Sequence, residues 1–349
     1  MRKVIAGLVA FIIVFLATIV GLELIFWGYR LVRAARGDIS VSIMEVDKEL
    51  GWLPTAGYAF DGNKRDASGQ PKSVNSIIDA ERFQAFGDVM SDRPKILIVG
   101  DSFTQAVRVP REETYYAVLE RMLPAEIFAF GTNGYSTLQE IMIAERYVPT
   151  IKPSILLLQF HFADFYNNSV ELETLSWRYN NGLRRPFLRL DGRIEYVLPR
   201  RLASVREFTT NHSRVIYFLW NQWDSFWARR GDPIQSEIEQ ETSYVESYRD
   251  AVKITGQLFR RLKEGVGEQT RVIVFATDNR QPYYDDFRQL IRESGLESIE
   301  EVPQAFAQVD AERAGVFSAD GIHWGIDGHH IAATAIVSYL TSEEAASLQ

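Results

Sequence analysis

Apolar and polar positions fall into three textures along the chain. In residues 4–27 nearly every position is apolar, and Glu23 carries the only charge. As a helix rising 1.5 Å per residue, this run measures about 36 Å, enough to cross a hydrocarbon core of about 30 Å. It ends in Phe26-Trp27-Gly28-Tyr29-Arg30, an aromatic and basic edge of the kind found at a membrane–water boundary. Glu23 stands close to that edge, where a carboxylate can reach polar surroundings. A cleaved signal peptide would have a shorter apolar stretch and a small-residue cleavage site. The pattern therefore predicts a transmembrane anchor within residues 1–36. Arg2 and Lys3 precede the span and Arg30, Arg33 and Arg36 follow it, so basic residues alone do not orient it. A short tail before a large folded part favours export. The expectation is a single-pass protein of the cytoplasmic membrane, its remainder periplasmic or extracellular.

Residues 37–93 show no sustained period. Gly51, Pro54, Gly57, Gly62, Gly69 and Pro71 punctuate them, which predicts an irregular membrane-proximal arm. From residue 94 the texture changes again. Short apolar runs at 95–99 (KILIV), 126–130, 154–160 (SILLLQF) and 271–277 (RVIVFAT) read as fully buried strands of a parallel sheet. Between and after them, 113–123, 137–147 and 325–340 read as helices. Tyr244, Tyr248, Val252, Thr255, Phe259 and Leu262 recur at helical spacing and predict a long amphipathic helix. Strands alternating with helices imply an α/β domain over 94–349, a doubly wound sheet with helices on both faces. In such sheets chemistry gathers beyond the carboxyl ends of the strands.

An insertion at about 165–240 interrupts the alternation. Leu190-Asp191-Gly192-Arg193 predicts a hairpin turn, with Arg184, Arg185, Arg189, Arg200 and Arg201 nearby. These arginines read as a solvated face, or as contacts to anionic lipid or an acidic glycan. The aromatic stretch Trp220, Trp223, Phe226 and Trp227 either packs the insertion or grips sugar rings.

Charge and cysteine content narrow the chemistry. A net charge of -8 gives no basic footprint for nucleic acid, and 0 cysteines exclude disulfides and thiolate chemistry. Ser102 follows the first strand of the α/β domain in Gly100-Asp101-Ser102-Phe103-Thr104. Serine and threonine at a strand-to-helix turn can simply cap the helix. They can also present a nucleophile if an imidazole base is at hand. Asp320-Gly321-Ile322-His323 offers one: a carboxylate three residues before a histidine can fix its tautomer and leave the other ring nitrogen for Ser102.

Together these blocks resemble the SGNH (GDSL-type) hydrolase family, in a membrane-anchored bacterial form. Gly131-Thr132-Asn133-Gly134-Tyr135 matches its second block, and Gly328-His329-His330-Ile331-Ala332-Ala333 its closing helix. The likeness covers about 94–164 and 271–340. It implies a three-layer α/β/α sheet of flavodoxin-like type and a Ser102–His323–Asp320 triad. It also implies an oxyanion hole from the N–H groups of Ser102 and Gly134, with no cofactor and no metal. The third block departs from the family: in His161-Phe162-Ala163-Asp164, alanine occupies the place of an asparagine donor. Losing such a donor costs about 100- to 1,000-fold in rate. Asn133, His161 or Asn167 could supply a replacement, or all three could be ordinary loop residues.

Asp320, His323, Asp327, His329 and His330 also crowd together and are ligand types that hold zinc, but without a second ligand cluster. His212 reads as a surface or packing residue. The resemblance points to a serine esterase removing O-acetyl or other short acyl groups from a cell-surface glycan. An O-acetyltransferase, a lipid esterase, or a non-catalytic glycan-binding or assembly protein are the alternatives, the last favoured by Ala163.

Overall fold

A computed structural model describes residues 2–35, 43–65, 71–228, 230–241, 245–309 and 315–347. Arg36, Gly69 and Tyr244 lie outside the described residues. The chain groups into two compact units: Met1–Ser42 with Arg200–Asp232, and Ile43–Pro199 with Pro233–Gln349. This grouping differs from a division at residues 36 and 93. The segment after residue 43 belongs with the sheet, and part of the insertion belongs with the N-terminal helix.

In the larger unit a six-stranded sheet is built from β1 (Ala85–Phe86), β2 (Lys95–Gly100), β3 (Glu126–Gly131), β4 (Ile155–Phe160), β5 (Arg271–Ala276) and β6 (Glu297–Ser298). Their spatial order is β6-β5-β4-β2-β3-β1. All neighbours are parallel except the short edge strand β1, which runs antiparallel to β3. The first two parallel strands, β2 and β3, occupy one side, and the chain then crosses to place β4 on the other side of β2. That reversal is the switch point at which flavodoxin-like sheets open a crevice. β2, which leads into Ser102, lies on it.

Side chains alternate strictly between the two faces, as the two-residue period of a strand demands. Leu97, Val99, Phe128, Phe130, Leu156, Leu158 and Val274 enter one apolar cluster. Ile96, Ile98, Ile127, Ala129, Leu157, Ile273 and Phe275 enter the other. The first cluster is closed by helices Thr137–Ile151, Glu246–Val266 and Tyr283–Ser294. The second is closed by Tyr115–Met122, Glu301–Gln308 and Ile326–Ser347. Burial on both faces explains why the strands read as unbroken apolar runs.

The segment expected to be an irregular arm is ordered. Met44–Asp47 pairs with Gly51–Pro54, and Ala59–Arg65 with Pro71–Ile77, as two antiparallel hairpins. Gly57 lies in the turn between Pro54 and Ala59, Gly51, Pro54 and Pro71 stand at strand ends, and Gly62 lies within a strand. Leu50, Trp52 and Phe83 from this segment are buried in the first cluster. Gln84 exchanges two hydrogen bonds with the backbone of Gly131, at 2.7 and 2.9 Å.

The smaller unit begins with the helix Arg2–Ala35, in which Ile5–Tyr29 has a mean hydropathy of 2.9 and is long and apolar enough to cross a membrane. Its other part is a pair of helices, Ala203–His212 and Arg214–Ala228.

Candidate active site

The motif at the end of β2 is used residue by residue. A Cβ on Gly100 would lie 2.3 Å from Thr104 Oγ1 and 2.5 Å from Gln159 Oε1, so only glycine lets the strand approach β4 this closely. Asp101 caps the short helix Ser102–Gln105 by accepting the N–H of Phe103 at 2.9 Å. Thr104 turns inward, donating to Gln159 Oε1 at 3.1 Å and bonding the Tyr115 hydroxyl at 2.8 Å. Phe103 packs against the rings of His161, His323 and Trp324. Ser102 is the residue left facing the crevice.

From the other end of the chain, a turn brings His323 to it. His323 Nε2 lies 2.7 Å from Ser102 Oγ, and His323 Nδ1 lies 2.6 Å from Asp320 Oδ2. The second carboxylate oxygen, Asp320 Oδ1, accepts the N–H groups of Ile322 and His323 and the Ser318 hydroxyl, at 2.8 to 3.1 Å. Burial pushes this carboxyl up, but the hydrogen bonds from His323, Ile322 and Ser318 outweigh it. They hold Asp320 well below the ordinary carboxylate range. Ionised Asp320 fixes the proton of His323 on Nδ1 and leaves Nε2 as the base toward Ser102. Arg108 Nη2 adds an ion pair to Asp320 Oδ2 at 3.1 Å, a partner absent from the sequence expectations.

The loop after β3 carries Gly134, the second expected oxyanion donor. Gly134 has φ +76, and a Cβ there would lie 2.5 Å from Asn181 Oδ1, so the position requires glycine twice over. Among the described residues, the N–H groups of Ser102 and Gly134 make no hydrogen bond. The Trp52 indole N–H donates to the Asn133 carbonyl at 3.2 Å, and so orients the peptide whose N–H belongs to Gly134. Arg185 donates to the Gly134 carbonyl, and Asn181 adds a bond there at 3.3 Å. Arg185 was expected on a solvated face. Instead its side chain is wholly buried, paired with the equally buried Glu173, because it heads the inward-facing strand Arg185–Leu188. That strand pairs with Ile194–Val197 around the expected turn at 190–193.

The three candidate replacement donors separate. Asn133 is exposed and lines the cavity beside Ser102. Asn167 uses its side-chain oxygen to accept from Arg185 and Asn181, so it braces the Gly134 loop from behind. His161 is buried against Phe103 and Phe162. Burial, then the charges of His323, Arg280 and Arg178, hold it well below the usual histidine range and keep it neutral. Its Nδ1 accepts the Ala163 N–H at 3.4 Å, and it lies outside the cavity lining. Ala163 opens the helix Ala163–Asn168, and Asp164 accepts the His161 N–H at 2.8 Å.

The residues that crowd together in sequence as metal ligands part in space. Asp320 and His323 face Ser102, while His330 Nε2 pairs with Glu113 at 2.6 Å. His329 is buried, and its Nδ1 accepts the Tyr115 N–H at 3.2 Å. Burial, followed by the nearby His330 and His323, lowers its pKa from 6.5 to about 3. Below pH 6.5 the unfolded chain therefore binds a proton that the folded chain refuses, and stability falls as pH falls. Between pH 7 and pH 5 His329 alone should cost about 2 kcal/mol of stability. Glu140 and Asp164 are raised by burial and act in the opposite sense, so the measurable quantity is a difference. The signed change in urea midpoint from pH 7 to pH 5 should be more favourable to folding in His329→Asn than in the parent; an identical change would contradict a neutral buried imidazole. His212, expected at a surface or in packing, is exposed with its ring stacked on Phe208.

The cavity over Ser102 measures about 160 Å³ and is lined by Ile43, Met44, Gln105, Ala106, Arg108, Asn133, His323 and Trp324 among others. Pockets that enclose a drug-sized ligand run to roughly 300 to 1,000 Å³. This one has room for a short acyl group.

No protein-family model matches the chain, and no curated protein matches it in sequence. Solved structures similar to it include a lipase/acylhydrolase from Enterococcus faecalis, at 12% identity and a TM-score of 0.39, covering 72% of this chain and 96% of that one. A catalytic variant of Axe2, an acetylxylan esterase from Geobacillus stearothermophilus, is 13% identical with a TM-score of 0.36, covering 71% and 94%. A member of the lipolytic protein G-D-S-L family from Veillonella parvula is 11% identical with a TM-score of 0.38, covering 71% and 98%.

Proposed function

We propose that the chain is a membrane-anchored serine esterase of SGNH type, its folded part exported, that removes O-acetyl or similarly short acyl groups from a glycan. The observation that carries this reading is the hydrogen-bonded line from Asp320 through His323 to Ser102, set beside two unengaged backbone N–H groups. Ser102 Oγ attacks the ester carbonyl while His323 Nε2 takes its proton. The N–H groups of Ser102 and Gly134 receive the oxyanion, and His323 then returns the proton to the leaving alcohol. Water repeats the cycle on the acyl-enzyme and releases the acid. The small cavity favours a short acyl group, and the polar lining residues Gln105, Arg108 and Asn133 suit a hydroxyl-rich leaving group. Acylation chemistry needs no metal or cofactor in this scheme.

The test is an acyl-length series of p-nitrophenyl esters on the full chain in detergent, with acetate release from acetylated xylo-oligosaccharide alongside. Turnover should be greatest for acetate and fall steeply with chain length. A preference for long acyl chains would replace the glycan reading with a lipid one. Labelling of Ser102 in cells by a membrane-impermeant fluorophosphonate checks export.

A further inference from the structure

The helix pair of the smaller unit wears its apolar side chains outward. Leu202, Val205 and Phe208 at the first helix, and Leu219, Trp223 and Phe226 on the second, are all 48% exposed or more. The last three stand at i, i+4 and i+7, so they form one stripe. The polar groups point inward instead. Asp224 receives both Arg200 and Arg206, the second at 3.1 Å. The Arg206 guanidinium lies 4.1 Å over the Trp220 ring, whose indole N–H donates to Thr209 Oγ1 at 3.3 Å. A helix pair bathed in water hides such apolar residues; single exposed ones are ordinary, but a contiguous set marks a contact surface.

The same helices are joined to the apolar N-terminal helix. Phe218 packs against Phe26 with ring centroids 6.1 Å apart. Glu23 Oε1 accepts the Val215 N–H at 3.0 Å and the Ser213 hydroxyl, so the only charge in the apolar run caps the second helix. A carboxylate at a helix N-terminus meets unpaired N–H groups and the positive end of the helix dipole. The partner for an otherwise costly charge is thus built into the chain. Charge points the same way. Residues 200–232 hold six arginines against three acidic residues, a net +3 in a chain of net -8.

We propose that residues 202–227 form a second membrane element, a helical hairpin lying in the bilayer interface beside the anchor. Its Leu219–Trp223–Phe226 stripe enters the acyl boundary, and the exposed Arg201 and Arg214 reach the headgroup phosphates. The proposal rests on the reading of Ile5–Tyr29 as a membrane span and is independent of the esterase activity. It identifies Trp223 and Phe226 of the aromatic stretch as lipid contacts and gives Glu23 a structural role.

Because the chain has 0 cysteines, single-cysteine variants place a nitroxide at one chosen site. Leu219→Cys, Trp223→Cys, Phe226→Cys, Asn221→Cys and Leu16→Cys, in the full chain, are reconstituted into vesicles of phosphatidylglycerol and phosphatidylethanolamine. The measurement is collision with oxygen, which concentrates in lipid, against collision with a water-soluble nickel chelate. The oxygen-to-nickel ratio at 219, 223 and 226 should exceed that at 221 several-fold and approach that at 16. Water-like ratios on the stripe with a lipid-like ratio at 16 would overturn the hairpin and keep the anchor. A water-like ratio at 16 would remove the anchor, and the hairpin with it. Low collision with both reagents on the stripe would mean that protein covers it, a second copy or a partner, and would also overturn the proposal.

Discussion

Replacing Ser102 with alanine is expected to lower kcat on an acyl ester by about 10⁴- to 10⁶-fold, because the attacking atom is gone and no neighbouring hydroxyl replaces it. Thr104, the nearest hydroxyl in the motif, is buried and committed to Gln159 and Tyr115. Ser102 Oγ has His323 as its hydrogen-bond partner, so its removal leaves no buried polar group stranded. The urea midpoint should therefore stay close to that of the parent while turnover collapses. Residual activity would come from the oxyanion N–H groups and binding alone. Turnover within tenfold of the parent would overthrow the assignment of the nucleophile.

Asp320→Asn should be nearly as severe, at about 10⁴-fold in kcat, and the geometry says why. The position of Oδ1 is surrounded by three donors: Ser318 Oγ and the N–H groups of Ile322 and His323. The asparagine oxygen must stay among them, which turns its NH₂ toward His323 Nδ1 and Arg108. An NH₂ there donates to Nδ1 and drives the imidazole proton onto Nε2, where it blocks the base. The ring stays in place but in the wrong tautomer. KM should change little beside kcat, since the cavity walls are untouched. A large rise in KM with kcat preserved would show that Asp320 binds substrate instead of orienting the base.

What the sequence revealed was what lies close together along it. Gly100 to Thr104 and Asp320 to His323 each form within one turn, so residue type and spacing announced them. The parallel sheet is legible because strands buried on both faces carry few polar positions, Gln159 being the buried one. Residues acting across the fold were not. Trp52, Gln84 and Arg185 reach the Gly131–Gly134 loop over 47 to 81 positions of sequence, and nothing local marks them. Arg185 looked like one of a basic cluster, because burial of a guanidinium depends on Glu173 being waiting for it. Short hairpins and loose loops share the same glycines and prolines, so the segment after residue 43 reads as irregular. The aromatic stretch is visible in the sequence, but the outward direction of Trp223 and Phe226 is a property of packing.

The Asn133–Gly134 loop is held by both of its carbonyls, one by Trp52 and the other by Arg185, from two different hairpins. Such a loop has little slack. Its freedom is surrendered when the chain folds, so in the proposed reaction the donors need not reorganise when charge appears on the substrate oxygen. Shortening either hairpin, far from the reacting atoms in sequence, would slacken the loop and raise the reorganisation energy of the reaction while leaving every group that touches the ester in place.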